Sequence, residues 1–273
     1  MADVMRFTIL GCGSSPGVPR INGDWGDCDP ANPKNRRRRA SLLVERIAEN
    51  GARTTVVIDT GPDFRDQMIT AQVTAIDAVV YTHAHADHIH GIDDLRGYWL
   101  SQKRLIDIHA DAYTLSRLRE AFEYCFKTPQ GSGYPPILCA HEIDHTRAFE
   151  ISGNGGRIRF EPLVQNHGSI VSLGFRIGDF AYCPDVSGFP YETVVKLADL
   201  DVLIIDALQY RPHPSHFSLD ESLEWIRKLE PRRAILTHMH TPLDYAVLCQ
   251  SLPAGTEPGY DGLVVESTVV SMT

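Results

Sequence analysis

The run Ile76-Asp77-Ala78-Val79-Val80-Tyr81 leads directly into Thr82-His83-Ala84-His85-Ala86-Asp87-His88, and this stretch decides the fold. The apolar run predicts a buried strand of a β/α unit, and the polar cluster follows where that strand gives way to a loop or helix. In α/β folds, ligands bind outside this end of the strands. On extended backbone His83 and His85 share one face, whereas Asp87 and His88 can turn toward a neighbouring point. One segment therefore predicts ligands for two adjacent metal ions.

The donor types in this cluster narrow the kind of metal. Imidazole nitrogen and carboxylate oxygen suit zinc, manganese or iron, whereas magnesium and calcium prefer mainly oxygen ligands. A solvated, His-rich loop is the alternative, but four ligand-type residues at this density rarely serve only solubility. We expect two divalent ions per chain, Zn²⁺ or Mn²⁺, because such sites accept either metal.

The composition is that of a globular protein with a substantial core. The chain has 273 residues, of which 43% are hydrophobic and 22% charged, and we expect a single domain over residues 1–273. A formal charge of −9 argues against a surface that binds polyanions in general. The opening MADVMRFTIL lacks the pattern of a secretion signal, and no apolar run approaches the ~18 residues of a membrane span, which predicts a cytoplasmic protein. Six scattered cysteines predict free thiols.

Strand and helix patterns recur in both halves of the chain, which suits two facing sheets with helices outside. Strands are predicted at residues 5–10, 40–47, 54–58, 76–81, 106–109, 147–151, 157–163, 172–177, 179–183, 202–205, 234–237 and 263–266. Helices are predicted at residues 63–71, 92–102, 114–126, 191–197, 219–229 and 243–249. The helix at 219–229 has the clearest start, because Ser218-x-x-Glu221 fits a capping box. The Gly- and Pro-rich segment 129–137 predicts an irregular surface excursion.

Three further ligand-type residues follow predicted strands. His167 comes shortly after the strand that we end at Val164, Asp185 follows the strand ending at Cys183, and His238 follows Thr237. Taken singly, a polar residue at a strand end is more often a cap or a surface group. The ordered set, together with the cluster at residues 83–88, favours one composite metal site.

In this order the residues resemble the metallo-β-lactamase superfamily. The resemblance spans nearly the whole chain and rests on His83-x-His85-x-Asp87-His88, His167, Asp185 and His238, preceded by Asp59 in Ile-Asp-Thr-Gly. It implies a four-layer αββα sandwich of the α/β class. It also implies one metal held by His83, His85 and His167 and a second held by Asp87, His88 and His238. Asp185 would bridge the two, and a carboxylate there is sensible because two close dications need negative charge between them.

Asp59 has two interpretations from sequence. It could cap the helix that starts near Pro62, or its carboxylate could fix the tautomer of a metal-binding histidine. The two roles are compatible.

Finer motifs resemble the phosphoribosyl cyclic phosphate phosphodiesterase family of the carbon–phosphorus lyase pathway, which is related to transfer-RNA 3′-end endonucleases. They are Gly11-x-Gly13, Gly17-Val18-Pro19, Leu236-Thr237-His238 and Gly259-Tyr260-Asp261-Gly262-Leu263. This resemblance implies a dinuclear metal-dependent phosphodiesterase, in which metal-bound hydroxide attacks a small cyclic phosphate or nucleotide-like phosphodiester. Asp185, where the true β-lactamases have cysteine, agrees with a hydrolytic phosphodiesterase or thioesterase branch.

The same resemblance assigns catalytic roles to Asp87 and His216. His216 would contact the scissile phosphate or act as general acid, and a histidine beside the start of the helix at 219–229 would add a donor to an anion site. His213 is a rival for this role. A surface histidine in a Pro-rich loop is the alternative for both.

The chain departs from that family at a loop that normally carries a separate structural zinc site. Of its cysteines only Cys28 remains here, and the nearby histidine is His240 at a shortened spacing. One thiolate and one imidazole do not make a tetrahedral site, so we expect no third metal ion at this loop.

The partners expected from sequence are small molecules. The run Arg36–Arg39 is typical of a solvated strand edge, with RNA contact as the alternative. A small phosphodiester substrate is favoured over nucleic acid, no membrane contact is expected, and a homodimer is compatible with the sequence. An RNA 3′-end processing nuclease and a noncatalytic metal or nucleotide binder are the alternative functions.

Overall fold

A computed structural model describes residues 3–268, and it contains two seven-stranded sheets. The first sheet has the order β14-β1-β2-β3-β4-β5-β6 and the second has the order β13-β12-β11-β10-β9-β8-β7. The strands are β1 (Val4–Gly11), β2 (Ser41–Ile47), β3 (Arg53–Ile58), β4 (Ala78–Val80), β5 (Ile106–Ala110), β6 (Leu138–Glu142), β7 (Phe149–Gly153), β8 (Gly156–His167), β9 (Ile170–Ile177), β10 (Phe180–Cys183), β11 (Val202–Asp206), β12 (Arg233–Thr237), β13 (Thr256–Pro258) and β14 (Val264–Thr268).

Each sheet is half antiparallel and half parallel. In the first sheet β1, β2 and β3 pair antiparallel, and β3 to β6 pair parallel. In the second sheet β7 to β10 pair antiparallel, and β10 to β13 pair parallel. The parallel strands β4, β10 and β11 are short and almost wholly buried, as expected for strands that are covered on both faces.

Helices cover the outer face of each sheet. They are α1 (Phe64–Thr70), α2 (Ala86–Ile89), α3 (Arg96–Gln102), α4 (Ala112–Ala121), α5 (Glu123–Phe126), α6 (Tyr191–Lys196), α7 (Leu219–Leu229) and α8 (Tyr245–Ser251), with short 3₁₀ turns at Pro33–Asn35 and Ile92–Leu95. Apolar residues of α1, α3 and α4 pack on the first sheet, and those of α7 and α8 pack on the second. The predicted αββα sandwich is confirmed.

The two sheets face each other across an apolar core. The rings of Phe7 on β1 and Phe180 on β10 stack at the centre with centroids 3.7 Å apart. This packing brings the carboxyl ends of the parallel strands of both sheets to the same side of the sandwich. Polar residues at the ends of β3, β4, β10, β11 and β12 are thereby brought together.

Several predicted elements differ in their bounds. The predicted helix at 114–126 begins earlier, because the Asp111 side chain caps α4 by accepting from Thr114 N, and it breaks at Phe122 into two helices. The helix predicted at 92–102 starts as a 3₁₀ turn. Strand β8 runs on to His167 rather than ending at Val164. Strands β6 and β13 were not predicted, whereas α7 has the predicted bounds and capping box.

The basic run at residues 36–39 is not a solvated strand edge. Arg37 is 2% exposed and donates to the carbonyl oxygens of Leu243 and His240. Arg38 pairs with Asp261 and Arg39 with Asp63, so the run ties together segments that are distant in sequence. The prediction failed because alternation alone cannot reveal that the opposite wall supplies carbonyls and carboxylates.

Within residues 3–268, no helix has the length and apolar character needed to cross a bilayer.

Candidate metal centre

A first group of donors comprises His83, His85 and His167. The loop after β4 carries the first two and the end of β8 carries the third. Their ligand atoms lie within 4.8 Å of one another, and His85 Nδ1 is 3.2 Å from His167 Nε2. The structure therefore brings together the three residues to which the resemblance assigned one metal.

A second group comprises Asp87, His88 and His238. Asp87 and His88 lie in the single turn of α2, and His238 directly follows β12. The Asp87 Oδ2 atom is 3.4 Å from His88 Nε2 and 3.6 Å from His238 Nε2. This group corresponds to the second set of ligands expected from sequence.

Asp185 lies between the two groups. Its Oδ1 is 3.2 Å from His88 Nε2, and its Oδ2 is 3.2 Å from His238 Nε2 and 3.9 Å from His167 Nε2. Asp185 is 1% exposed, so water does not compensate its charge. A single carboxylate thus faces both groups, which is the arrangement that a bridging ligand requires.

Several of these buried atoms have no hydrogen-bond partner among the described residues. They are His83 Nε2, His88 Nε2, both ring nitrogens of His238, and Asp185 Oδ1. A buried polar atom without a partner costs about 1–3 kcal/mol. The orphaned atoms belong to both groups and to the carboxylate between them, and divalent ions of the zinc or manganese type would take up their lone pairs. The donor set therefore fits such ions.

The electrostatics of the centre favour bound cations. Burial lowers the pKa of His83 and brings that of His167 to about 4, so both imidazoles are in the neutral form that binds metals. For His88 burial also lowers the pKa, but Asp185, Asp87 and Asp59 outweigh it and raise the pKa well above its usual range. The three carboxylates around His88 make the centre electronegative, which favours the binding of a cation.

The Asp59 carboxylate holds the second group in place. It accepts hydrogen bonds from Thr82 N and Thr82 Oγ1, both at 2.8 Å, and lies 2.7 Å from His88 Nδ1. With the proton on Nδ1, the lone pair of His88 Nε2 is free to bind an ion between it and the carboxylates of Asp87 and Asp185. The alternative role as helix cap is wrong, because Asp63 occupies the cap position of α1.

Two residues of the centre have a strained backbone conformation. Asp59 has φ 65° and His238 has φ 55°, in the left-handed region that non-glycine residues rarely adopt. Such conformations cost on the order of 1–3 kcal/mol each and persist only where the surroundings enforce them. Here each one turns a side chain from a strand end into the centre.

His216 lies against both groups of donors. Its ring stacks on His238 with centroids 4.6 Å apart and an interplanar angle of 11°, and it meets His167 edge-on at 4.6 Å. Its rival His213 is exposed and contacts Ser215. The geometry therefore favours His216 over His213 as the histidine beside the metal groups.

Asp206 is a site residue that sequence reasoning missed. It ends β11, is fully buried, and its Oδ2 is 2.7 Å from His216 Nδ1 and accepts from Val186 N at 3.0 Å. Burial disfavours the charged form of each side chain, so it raises the pKa of Asp206 and lowers that of His216. An aspartate directly after the apolar run of residues 202–205 was the available signal.

The start of α7 does not offer the open anion site that the sequence suggested. The Ser218 amide donates to Glu221 Oε2, and the Glu221 amide donates to Ser218 Oγ. Asp220 and Glu221 add negative charge to the first turn. Since the capping box already uses these amides, His216 itself is the donor beside the metal groups.

His240, two residues beyond His238, connects the centre to the N-terminal loop. Its Nε2 accepts from Arg20 Nη2 at 2.7 Å, which leaves Nδ1 as the donor to Ser14 Oγ at 2.8 Å. Arg20 also pairs with Asp24. Burial is the largest cause that lowers the pKa of His240, and the nearby charges of Arg20 and then of His238 lower it further. Sequence reasoning had not singled out Ser14 or Arg20.

Cys28 has other partners than His240. Its thiol donates to the carbonyl oxygens of Thr241 and Leu243, and Arg37 Nη1 lies 3.8 Å from its sulfur. That no structural metal occupies this loop stays a prediction.

Comparisons with known proteins identify the family of this chain. A family profile described as the beta-lactamase superfamily domain matches residues 54–239. A crystal structure of a new diphosphatase from the PhnP family is 35% identical, with a TM-score of 0.86 and 98% of both chains covered. The metallo-β-lactamase fold protein YhfI from Bacillus subtilis is 15% identical, with a TM-score of 0.71 over 97% of this chain and 100% of its own.

A curated relative, an octanoyltransferase, is much longer than this chain. The octanoyltransferase of Porphyromonas gingivalis is 33% identical over 264 residues, which are 95% of this chain and 51% of that protein. The chain thus spans about half the length of this relative. The profile, by contrast, covers most of the chain and extends from β3 to the residue after His238. This chain belongs to the metallo-β-lactamase superfamily and is similar to a diphosphatase of the PhnP family.

Proposed function

We propose that this protein hydrolyses a small phosphodiester or diphosphate, of the cyclic phosphate or nucleotide-like class, at a centre of two divalent ions. The observation that carries the proposal is Asp185, whose carboxylate faces both donor groups while His216 lies alongside. The related diphosphatase of the PhnP family supports phosphate chemistry, since it is 35% identical over 98% of the chain.

Some of these residues would hold the metal ions, and others would transfer protons. His83, His85 and His167 would hold one ion, Asp87, His88 and His238 the other, and Asp185 would contact both. Bound divalent ions lower the pKa of a coordinated water toward neutrality and polarise a phosphoryl oxygen. His216, oriented by Asp206, supplies a proton to the departing oxygen, and Asp87 assists proton transfer on the attacking side.

Arg20, which is also paired with Asp24, brings a guanidinium near the centre, where it supports an anionic substrate. Arg20 contacts His240, which follows His238 by two residues, and its side chain remains 40% exposed. An exposed guanidinium can pair with a phosphate that is not being cleaved. The Arg20–His240 contact therefore supports a substrate with a phosphate beyond the reacting one.

A substrate panel with measured metal content tests the proposal. The purified protein is assayed with a ribose cyclic phosphate, a nucleotide-like diphosphate diester, a precursor transfer RNA and an octanoyl thioester. We expect metal-dependent turnover of one of the two small phosphates, and its loss in Asp185→Asn. Cleavage of precursor transfer RNA without turnover of either small phosphate would establish the nuclease alternative. Exclusive thioester hydrolysis would overturn phosphate chemistry altogether.

A further inference from the structure

A second cluster of ligand-type side chains lies on strands β5 and β6, outside the donor groups described above. These strands pair parallel, with Asp107 opposite Cys139 and His109 opposite His141. Alternate residues of β5, Ile106 and Ile108, are fully buried in the core beneath the helices. The four ligand-type residues therefore share the other face of the sheet, two on each strand.

The donor atoms of three of these residues already converge. The oxygen of Asp107, the sulfur of Cys139 and a ring nitrogen of His141 all lie within 4.8 Å of one another. His141 Nε2 is 2.7 Å from Asp107 Oδ1. Side chains of 39% exposure at Asp107 and 45% at His141 leave the cluster open to an ion from solvent.

The position of the His141 ring is fixed from the side. His109 stacks on it with centroids 4.7 Å apart and an interplanar angle of 20°. His109 in turn stacks on Phe149 of β7 at 5.3 Å. The histidine donor is thus held by packing, which reduces the conformational entropy lost when an ion binds.

We propose that Asp107, Cys139 and His141 form a third metal site that takes one zinc-class divalent ion, with solvent as the fourth ligand. A thiolate, an imidazole and a carboxylate are zinc donors, and three protein ligands plus water complete a tetrahedron. On binding, the Cys139 thiol releases its proton to solvent and its sulfur bonds to the ion. The Arg104 guanidinium, 3.8 Å from Asp107 Oδ2, gives up part of its interaction with that carboxylate.

Cobalt spectroscopy tests this site separately from the catalytic centre. The candidate catalytic donors are histidines and aspartates, so a thiolate-to-cobalt charge-transfer band reports a site that contains cysteine. Protein already loaded with its catalytic ions is titrated with Co²⁺. We expect one further equivalent to bind together with the appearance of this band. Cys139→Ser should abolish the band, and His141→Gln should weaken binding at least tenfold.

Matched controls use residues of the same types elsewhere. Cys249, which is exposed on α8, and His145, which is exposed beyond β6, are changed to Ser and Gln and should leave the band unchanged. Hydrolytic activity should be the same in Cys139→Ser and in the unaltered protein. Absence of the band, its survival in Cys139→Ser, or its equal loss in Cys249→Ser would each overturn the proposal. His141→Gln keeps the test valid if Cys139→Ser is unstable, since His141 is exposed.

Discussion

The Nδ1 atom of His216 lies 2.7 Å from Oδ2 of Asp206, and this contact is buried beside the donor groups. Asp206 is inaccessible to solvent, and His216 has 11% of its side chain exposed. The carboxylate fixes the ring, so Nε2 is the nitrogen left to act on a substrate. The pair therefore has the geometry of a general acid and its orienting group.

Asp206→Asn and His216→Ala should each retain both metal ions yet lose much of kcat. A general acid contributes about 10²–10⁴-fold, and the double variant should lose little more than either single one, because the residues act as a unit. Steady-state kinetics with metal analysis measures both effects. Asp201→Asn, which makes the same change at an exposed residue, is the control. Unchanged turnover in His216→Ala would transfer the role to His213 or water.

Asp59→Asn should weaken metal binding without removing a ligand. The amide cannot accept in the same way from Thr82 and His88 at once, so the His88 ring loses its fixed tautomer. Loss of such a partner lowers metal affinity about 10–100-fold. Competition with a chromogenic chelator measures the change. Affinity equal to that of the unaltered protein would limit Asp59 to a packing role.

His85→Ala and Asp185→Asn should lower metal occupancy. His85 belongs to the first donor group, and Asp185 faces both, so we expect the aspartate variant to lose more metal. Elemental analysis after dialysis reports occupancy directly. His90→Ala, an exposed histidine two residues beyond His88, should keep full occupancy. Full occupancy in both ligand variants would show that the ligand set is wrong.

Tyr98→Phe should reduce the sensitivity of the fold to alkaline pH. Burial raises the pKa of Tyr98 to about 12, against about 10 in an unfolded chain, and its hydroxyl donates to Val73 O. The folded state therefore favours the neutral phenol. This contribution is present below pH ~10 and is lost as the pH rises toward 12.

Thermal unfolding between pH 8 and 12 measures this effect. At pH 8 the variant should be less stable by about 1 kcal/mol, the value of one hydrogen bond, and the difference should shrink as the pH rises. Tyr113→Phe, an exposed tyrosine on α4, is the control. A difference that is constant over the range would mean that the Tyr98 phenol does not titrate with unfolding.

The sandwich and the main donor set could be predicted because both produce patterns that are visible within short segments of sequence. The donors follow short apolar strands, and the start of α7 is indicated by the capping box of Ser218 and Glu221. What escaped prediction depends on contacts between distant segments. The burial of Arg37 requires carbonyls about 200 residues away, and the pairing of Asp206 with His216 requires the chain to return over the end of β11. Neither contact has a period or a spacing that sequence alone displays.

Each donor group draws on both sheets. His83 and His85 follow β4 of the first sheet, whereas His167 ends β8 of the second, and His88 and His238 repeat this division. Binding of each ion is therefore linked to closure of the sandwich, and a ligand at 100 times its Kd adds about 2.7 kcal/mol to the folded state. The availability of metal ions would therefore affect how firmly the two sheets pack together. Removing the ions with a chelator would weaken the contact between the sheets and leave the hydrogen bonds within each sheet intact.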